Sequence, residues 1–75
     1  MELEQLQAIV AGVLDLDPET VTEDKSFADD LEADSLDRME IIMQIEDALG
    51  VEIPDGVLES IVTVGDAMEA IRKAE

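Results

Sequence analysis

Apolar residues recur at a spacing of about 3.6 residues along most of this chain, and no segment alternates between apolar and polar residues in the way a half-buried strand does. The first apolar stripe predicts a helix over residues 3–14; its members are Leu3, Leu6, Ile9, Val10 and Val13. Asp17-Pro18 ends anything helical before it, because the residue before a proline avoids the helical conformation. The chain can therefore fold into packed helices, but it offers no strands for a sheet.

Residues 15–34 show no sustained period, and their charged residues are all acidic apart from Lys25. Val21, Phe27 and Leu31 are spaced so that they can anchor this segment to a core. Long segments without regular structure are uncommon inside small domains and are usually functional. We therefore expect an ordered loop that contains a short turn of helix.

A second helix is predicted from Asp34 to about Leu49. Asp34 is a favourable N-cap, and Asp37 three residues later completes a pattern similar to a capping box. Gly50 then ends the helix, since glycine readily adopts the left-handed conformation that follows a helix.

Two more helices are predicted after Gly50. The third is short and begins at Asp55 as its cap; its inward-facing residues are Val57, Leu58 and Ile61. The last begins at Thr63, with Asp66 closing a capping box, and its apolar stripe consists of Val64, Ala67, Met68 and Ile71. The predicted fold is all-α: a single domain over residues 1–75, built as a small bundle of three longer helices and one short helix, with a long ordered loop between helices 1 and 2.

Composition excludes several functions. The chain has 75 residues with 4 basic and 21 acidic side chains, a net charge of −17, so it lacks the clustered Lys and Arg that bind nucleic acid. It contains no Cys and no His, which excludes disulfides, Cys/His zinc sites and Ser-His or Cys-His catalysis. Neither a signal peptide nor an apolar run long enough to cross a bilayer is evident. We expect a soluble, cytoplasmic monomer that does not insert into membranes.

The second helix has two apolar sides. Its core side is predicted to consist of Ile41, Ile42, Ile45, Ala48 and Leu49. A second stripe on the other side is fringed by carboxylates, and its apolar members are Leu36, Met39 and Met43. Two interpretations stay open: the stripe packs under another segment, or it forms a surface for several partners, since methionine adapts to different shapes. Glu46 and Asp47 lie where the helix dipole disfavours negative charge, which favours a partner with a basic patch.

Ser35 follows the long loop at the start of the second helix. A helix N-terminus favours a phosphate, so a serine with a solvent-facing hydroxyl here can carry a phosphate-linked group. The alternative is that it merely caps the helix, as serine often does. It is not a catalytic nucleophile by itself, because the chain has no His and no nearby Lys to take its proton.

The segment Asp-Leu-Glu-Ala-Asp-Ser-Leu-Asp at residues 30–37 resembles the attachment motif of acyl carrier proteins. The similarity continues through Met-Glu-Ile-Ile-Met at 39–43, Val-Glu-Ile-Pro-Asp at 51–55 and Thr-Val-Gly-Asp-Ala at 63–67. It covers the chain from about residue 3 to residue 71. The chain is thus similar to a discrete acyl carrier protein of the kind that serves fatty acid synthesis.

The resemblance implies that Ser35, flanked by Asp34 and Leu36, is esterified with 4′-phosphopantetheine from coenzyme A. A separate phosphopantetheinyl transferase, using Mg²⁺, would perform that reaction. The thiol of the cofactor would then carry acyl intermediates as thioesters between acyl transferases and fatty-acid-synthesis enzymes with basic docking patches. The chain itself would not be an enzyme.

The resemblance also implies three sets of residues. Those of partner recognition are Asp34, Leu36, Asp37, Met39, Glu40, Met43, Glu46 and Asp47. Those expected to line an acyl pocket are Ile45, Ile53, Ile61 and Ala67. No metal site is certain, and the weak candidates for divalent cations are one cluster of Asp29, Asp34 and Asp37 and another of Glu46, Glu52 and Asp55.

This sequence departs from the family pattern at Glu32, where the family usually has glycine, and at residues 56–60, which are less charged than usual. Two alternatives remain open. The arm could carry a polyketide, aminoacyl or specialised-lipid cargo, or the chain could be an acidic helical adaptor without a cofactor.

Overall fold

The computed structural model describes all 75 residues and contains four α-helices: α1 (Leu3–Leu14), α2 (Ser35–Leu49), α3 (Asp55–Ser60) and α4 (Val64–Ala74). A 3-10 turn at Pro18–Thr20 interrupts the segment between α1 and α2. There are no strands. The predicted all-α bundle, with one short helix and an ordered loop before α2, is confirmed. None of the helices is both long enough and apolar enough to cross a bilayer.

The ends of α2 form as predicted. The Asp37 N–H donates to Asp34 Oδ1 at 2.8 Å, and the Asp34 N–H donates to Asp37 Oδ2 at 3.3 Å, which is a reciprocal capping box. Gly50 closes the helix with φ of 67°. The predicted cap of α3 is wrong by one residue: Pro54 is the N-cap and Asp55 is already helical, because the proline ring pre-sets the extended backbone that precedes the helix.

The loop between α1 and α2 is tied down by both side chains and backbone. The predicted anchors Val21, Phe27 and Leu31 are all buried. Three backbone hydrogen bonds join the loop to the α3–α4 connection and to the first turn of α4, namely Phe27 N–H to Val62 O, Val64 N–H to Lys25 O and Gly65 N–H to Glu23 O, each 2.9 Å long. These bonds explain how a segment with so little helix is held rigidly enough to position the start of α2.

Every long helix contributes to the core. Its largest fully buried side chains are Leu6, Val10, Val21, Ile41, Ile45, Val64 and Ile71. Two predictions of inward-facing residues are wrong. Val57 is 37% exposed, and no other residue of α3 is buried either, because this helix has only 6 residues and presents little surface to the core. Ala48 is exposed in the last turn of α2.

The capping box of α4 makes one carboxylate sensitive to acid. Asp66 Oδ2 accepts hydrogen bonds from the backbone N–H groups of Thr63 and Val62, both at 3.0 Å. Together with the hydroxyl of Thr63, these donors hold the pKa of Asp66 below its usual value, because they favour the ionised form.

We expect Asp66→Asn to destabilise the fold at neutral pH and to lose that effect in acid. The folded pKa lies below the unfolded value of about 3.9, so the folded state binds fewer protons between the two values. The stabilisation by Asp66 is therefore present above about pH 4 and is lost as the pH falls through the folded pKa. Urea unfolding at fixed salt measures the difference between parent and variant at each pH. Asp47→Asn is the control, since it removes a carboxylate that makes no hydrogen bond, and a pH-independent difference for Asp66→Asn would contradict this account.

Candidate functional site

Ser35 is the first residue of α2, and it is exposed. The capping oxygen belongs to Asp34, so the alternative that Ser35 caps the helix is wrong. The Ser35 hydroxyl makes no hydrogen bond within the chain, and the backbone N–H groups of Ser35 and Leu36 likewise have no partner. The start of α2 thus presents a free hydroxyl beside two free amide donors.

The three residues before the cap hold this helix start in place. Leu31 and Ala33 are buried, and the Ala33 N–H donates to Phe27 O at 2.7 Å. Between them, Glu32 is exposed and has a φ of 56°. This left-handed backbone conformation is one that residues other than glycine rarely adopt. The turn that places Ser35 therefore needs a positive φ at a position that this sequence fills with glutamate.

We expect Glu32→Gly to raise the free energy of unfolding by about 0.5–1 kcal/mol. The left-handed conformation costs a side-chain-bearing residue roughly 1–2 kcal/mol, and the greater freedom of glycine in the unfolded chain offsets part of the relief. Urea unfolding measures the change. Glu32→Gln is the matched control, since it removes the same charge and keeps the strained backbone. An equal gain in both variants would assign the effect to charge and contradict the strain argument.

A cavity of about 410 Å³ opens between α2 and α3 beside Ser35. Six of its nine lining residues are apolar: Phe27, Met39, Ile41, Ile42, Leu58 and Ile61. The other three, Ser35, Arg38 and Glu59, are exposed polar residues. The free hydroxyl therefore lies at the edge of an apolar space that is open to solvent.

Of the four residues expected to line an acyl pocket, only Ile61 lines this cavity. Ile45, Ile53 and Ala67 lie in the buried core instead. The sequence interpretation missed Arg38 and the apolar residues of α2 and α3 that form the walls. A signal was present, because Arg38, Met39 and Ile42 are three, four and seven residues after Ser35 and so share its side of the helix.

The apolar stripe of α2 faces solvent. Leu36, Met39 and Met43 are 75%, 59% and 57% exposed, so the interpretation that they pack under another segment is wrong. Large apolar side chains exposed side by side are typical of an interaction surface. We call these three residues the exposed strip.

The carboxylates around the exposed strip differ in their exposure and in the hydrogen bonds that they already accept. Glu40 and Asp47 are exposed, whereas Asp34 and Asp37 are bound to each other's backbone in the capping box. Glu46 is half-buried, and its Oε2 accepts a hydrogen bond from the Ile53 N–H at 2.7 Å. This bond ties the α2–α3 connection to α2 and accounts for a negative charge near the C-terminus of the helix.

The two weak divalent-cation clusters are not assembled. The structure contains no group of three or more Asp or Glu residues that could hold a metal ion. Asp34, Asp37 and Glu46 each accept a backbone hydrogen bond from their own part of the chain.

Comparisons with known proteins agree with this geometry. Residues 4–71 match the family model described as a phosphopantetheine attachment site. The chain is 51% identical over 72 residues to the acyl carrier protein of Sinorhizobium fredii and to acyl carrier protein AcpP of Rhizobium meliloti, in each case covering 96% of this chain and 92% of the relative. It is 52% identical over 71 residues to the acyl carrier protein of Phenylobacterium zucineum, covering 95% and 90%.

Among solved structures, the fold is similar to that of the acyl carrier protein from Enterococcus faecalis, with a TM-score of 0.80 and 36% sequence identity over 97% of this chain and 92% of the other. The predicted family and its cofactor, phosphopantetheine, are thereby confirmed. This chain belongs to the phosphopantetheine-attachment family of acyl carrier proteins, which are carriers and not enzymes.

Proposed function

We propose that Ser35 carries 4′-phosphopantetheine and that this chain, acting as a single domain over residues 1–75, shuttles acyl thioesters between enzymes of fatty acid biosynthesis. The observation that carries the proposal is the exposed, unbonded hydroxyl of Ser35 at the edge of the apolar cavity. When bound, the cofactor supplies the thiol that a chain without Cys does not have.

The residues around Ser35 fit a phosphate-linked group. The side chain of Asp34 satisfies the Asp37 N–H, which leaves the amides of Ser35 and Leu36 free to face phosphate oxygens at the positive end of the helix dipole. In the attachment step the Ser35 oxygen would form a bond to phosphorus, the pyrophosphate bond of coenzyme A would break, and adenosine 3′,5′-bisphosphate would leave. The hydroxyl proton leaves to a base on the transferase, because the chain has no His and is only the acceptor.

The cavity supports a role in sheltering the acyl chain. Its walls of Ile41, Ile42, Leu58 and Ile61 would remove a hydrocarbon chain from water, which is favourable in proportion to the apolar area covered. We propose that a short chain occupies the present cavity. A longer chain would have to displace residues of the buried core, to which Ile45, Ile53 and Ala67 belong.

Incubation of the chain with coenzyme A, Mg²⁺ and a phosphopantetheinyl transferase tests the proposal. We expect the intact mass to rise by one phosphopantetheine group and one thiol to appear per chain, against no thiol in the starting protein. A chain that stays unmodified would reject the proposal and favour the adaptor without a cofactor. The acyltransferase that then loads the thiol separates a fatty acid cargo from a polyketide, aminoacyl or specialised-lipid one.

We also propose that the exposed strip and the exposed carboxylates Glu40 and Asp47 dock basic patches on partner enzymes. Attraction between opposite charges speeds the encounter, and buried apolar anchors hold the complex. We expect Leu36→Ala to weaken binding to a transferase about 10- to 30-fold with little change in stability, because Leu36 is 75% exposed. Calorimetric titration measures the affinity. Val62→Ala, which truncates an apolar side chain that is 59% exposed outside the strip, should bind normally, and equal losses in both variants would contradict a specific surface.

A further inference from the structure

We infer that Arg38 binds the phosphodiester that joins the arm to Ser35 and so sets the direction in which the arm leaves α2. The inference rests on the proposed function, since it concerns the group that Ser35 would carry. Its structural basis is an unpaired guanidinium beside the attachment hydroxyl.

Arg38 is the only basic residue of α2 and one of 4 in a chain of net charge −17, yet it forms no ion pair. The ion pairs of the structure join the N-terminal amine to Glu75 and Arg72 to Glu69. Asp34, four residues before Arg38, would be its expected helical partner. The carboxylate of Asp34 instead accepts a hydrogen bond from the Asp37 N–H, and it forms no ion pair with the guanidinium.

The position of Arg38 suits a group attached at Ser35. Residues three apart on a helix have Cβ atoms about 5–6 Å apart on the same side, and both side chains line the same cavity. Guanidinium binds phosphate oxygens through two parallel hydrogen bonds, which an ammonium group does not reproduce. A phosphodiester tethered to Ser35 always stays within reach of the Arg38 side chain. The pairing is therefore intramolecular, and its effective concentration is high without any separate binding step.

Charge supports the same assignment. Attachment places a new negative charge next to Asp34 and Asp37, in a chain that already repels itself. Arg38 is the one cation on this helix that can offset it. Glu59 lines the cavity from α3, on the opposite wall, so a phosphodiester bound by Arg38 is kept on the α2 side and the rest of the arm is directed along the cavity edge.

The test compares the forms without and with the arm for the parent, Arg38→Gln, Arg38→Lys and Lys73→Gln. Lys73 is an exposed cation on α4, so both Gln variants carry the same net charge, −17 − 1 = −18. We expect the change in melting temperature on arm attachment to be about 2–5 °C less favourable in Arg38→Gln than in the parent. We also expect the ³¹P resonance of the arm to shift in that variant. Arg38→Lys should recover part of both effects, and Lys73→Gln should match the parent.

Mass spectrometry of the same samples separates this inference from the proposed function. If Ser35 acquires no phosphopantetheine, the proposed function and the inference about Arg38 are both overturned. If Ser35 is modified but Arg38→Gln behaves like Lys73→Gln in both the melting shift and the ³¹P spectrum, the inference alone is overturned. A change confined to the rate of the transferase would also overturn it, since Arg38 would then contact the enzyme and not the arm.

Discussion

Ser35→Ala is expected to abolish the gain in mass on treatment with coenzyme A and transferase, while the fold is retained. The variant removes the oxygen that accepts the phosphorus. It should cost little stability, because the Ser35 hydroxyl makes no hydrogen bond, Asp34 still caps the helix, and alanine is the best helix former. Intact-mass spectrometry measures the modification, and a thermal melt followed by circular dichroism measures the fold.

The chain provides two matched controls, since its other serines are structural. Ser26 Oγ accepts backbone hydrogen bonds from Asp29 and Asp30 at 3.2 and 3.1 Å, and Ser60 Oγ donates to Val57 O at 2.7 Å. We expect Ser26→Ala and Ser60→Ala to be modified normally and to be slightly less stable than the parent. Modification of Ser35→Ala, or loss of modification in a control that remains folded, would place the attachment elsewhere.

Ile45→Ala is expected to lower the free energy of unfolding by about 2–5 kcal/mol. Ile45 is completely buried at the centre of the core side of α2, and truncation leaves a cavity that its neighbours do not fill. A single core below about 80 residues supplies only about 3–5 kcal/mol in all. The variant should therefore be largely unfolded at temperatures where the parent is folded, as urea and thermal unfolding would show.

Met43→Ala is the control for this prediction, because it truncates a similar side chain two residues earlier that is 57% exposed. It should change stability by less than about 0.5 kcal/mol. If Ile45→Ala proves as mild as Met43→Ala, Ile45 borders an empty space and not a packed core. The expected acyl pocket would then extend through Ile45, and the variant should alter the length of chain that the carrier shelters.

Local sequence patterns predicted the elements of the fold well. The capping boxes of α2 and α4 and the end of α2 at Gly50 depend on residues within a few positions of each other, and all were correct. The error at α3 is also local: Pro54 already supplies the backbone that was assigned to Asp55. These features are readable from sequence because the atoms that satisfy one another are neighbours in the chain.

Features of the site that depend on contacts between distant parts of the chain are harder to predict from the sequence. The sequence places Glu46 near the C-terminus of α2 but does not reveal that its carboxylate accepts a hydrogen bond from the Ile53 N–H seven residues away. The exposure of the strip could not be decided either, since periodicity alone does not reveal which of two apolar sides of a helix another segment covers. The cavity beside Ser35 lies between α2 and α3, and the width of the gap between these helices is set by packing across the fold.

The sequence by itself determined the helices, the acidic character and the serine at the start of α2, because these follow from residue type and spacing. Only the tertiary structure decided that the hydroxyl of Ser35 is free, that three large apolar side chains face solvent, and that Arg38 has no carboxylate partner. Each of those facts depends on which atoms meet across space, where hydrogen bonds and burial compete, and spacing along the chain does not determine the outcome of that competition.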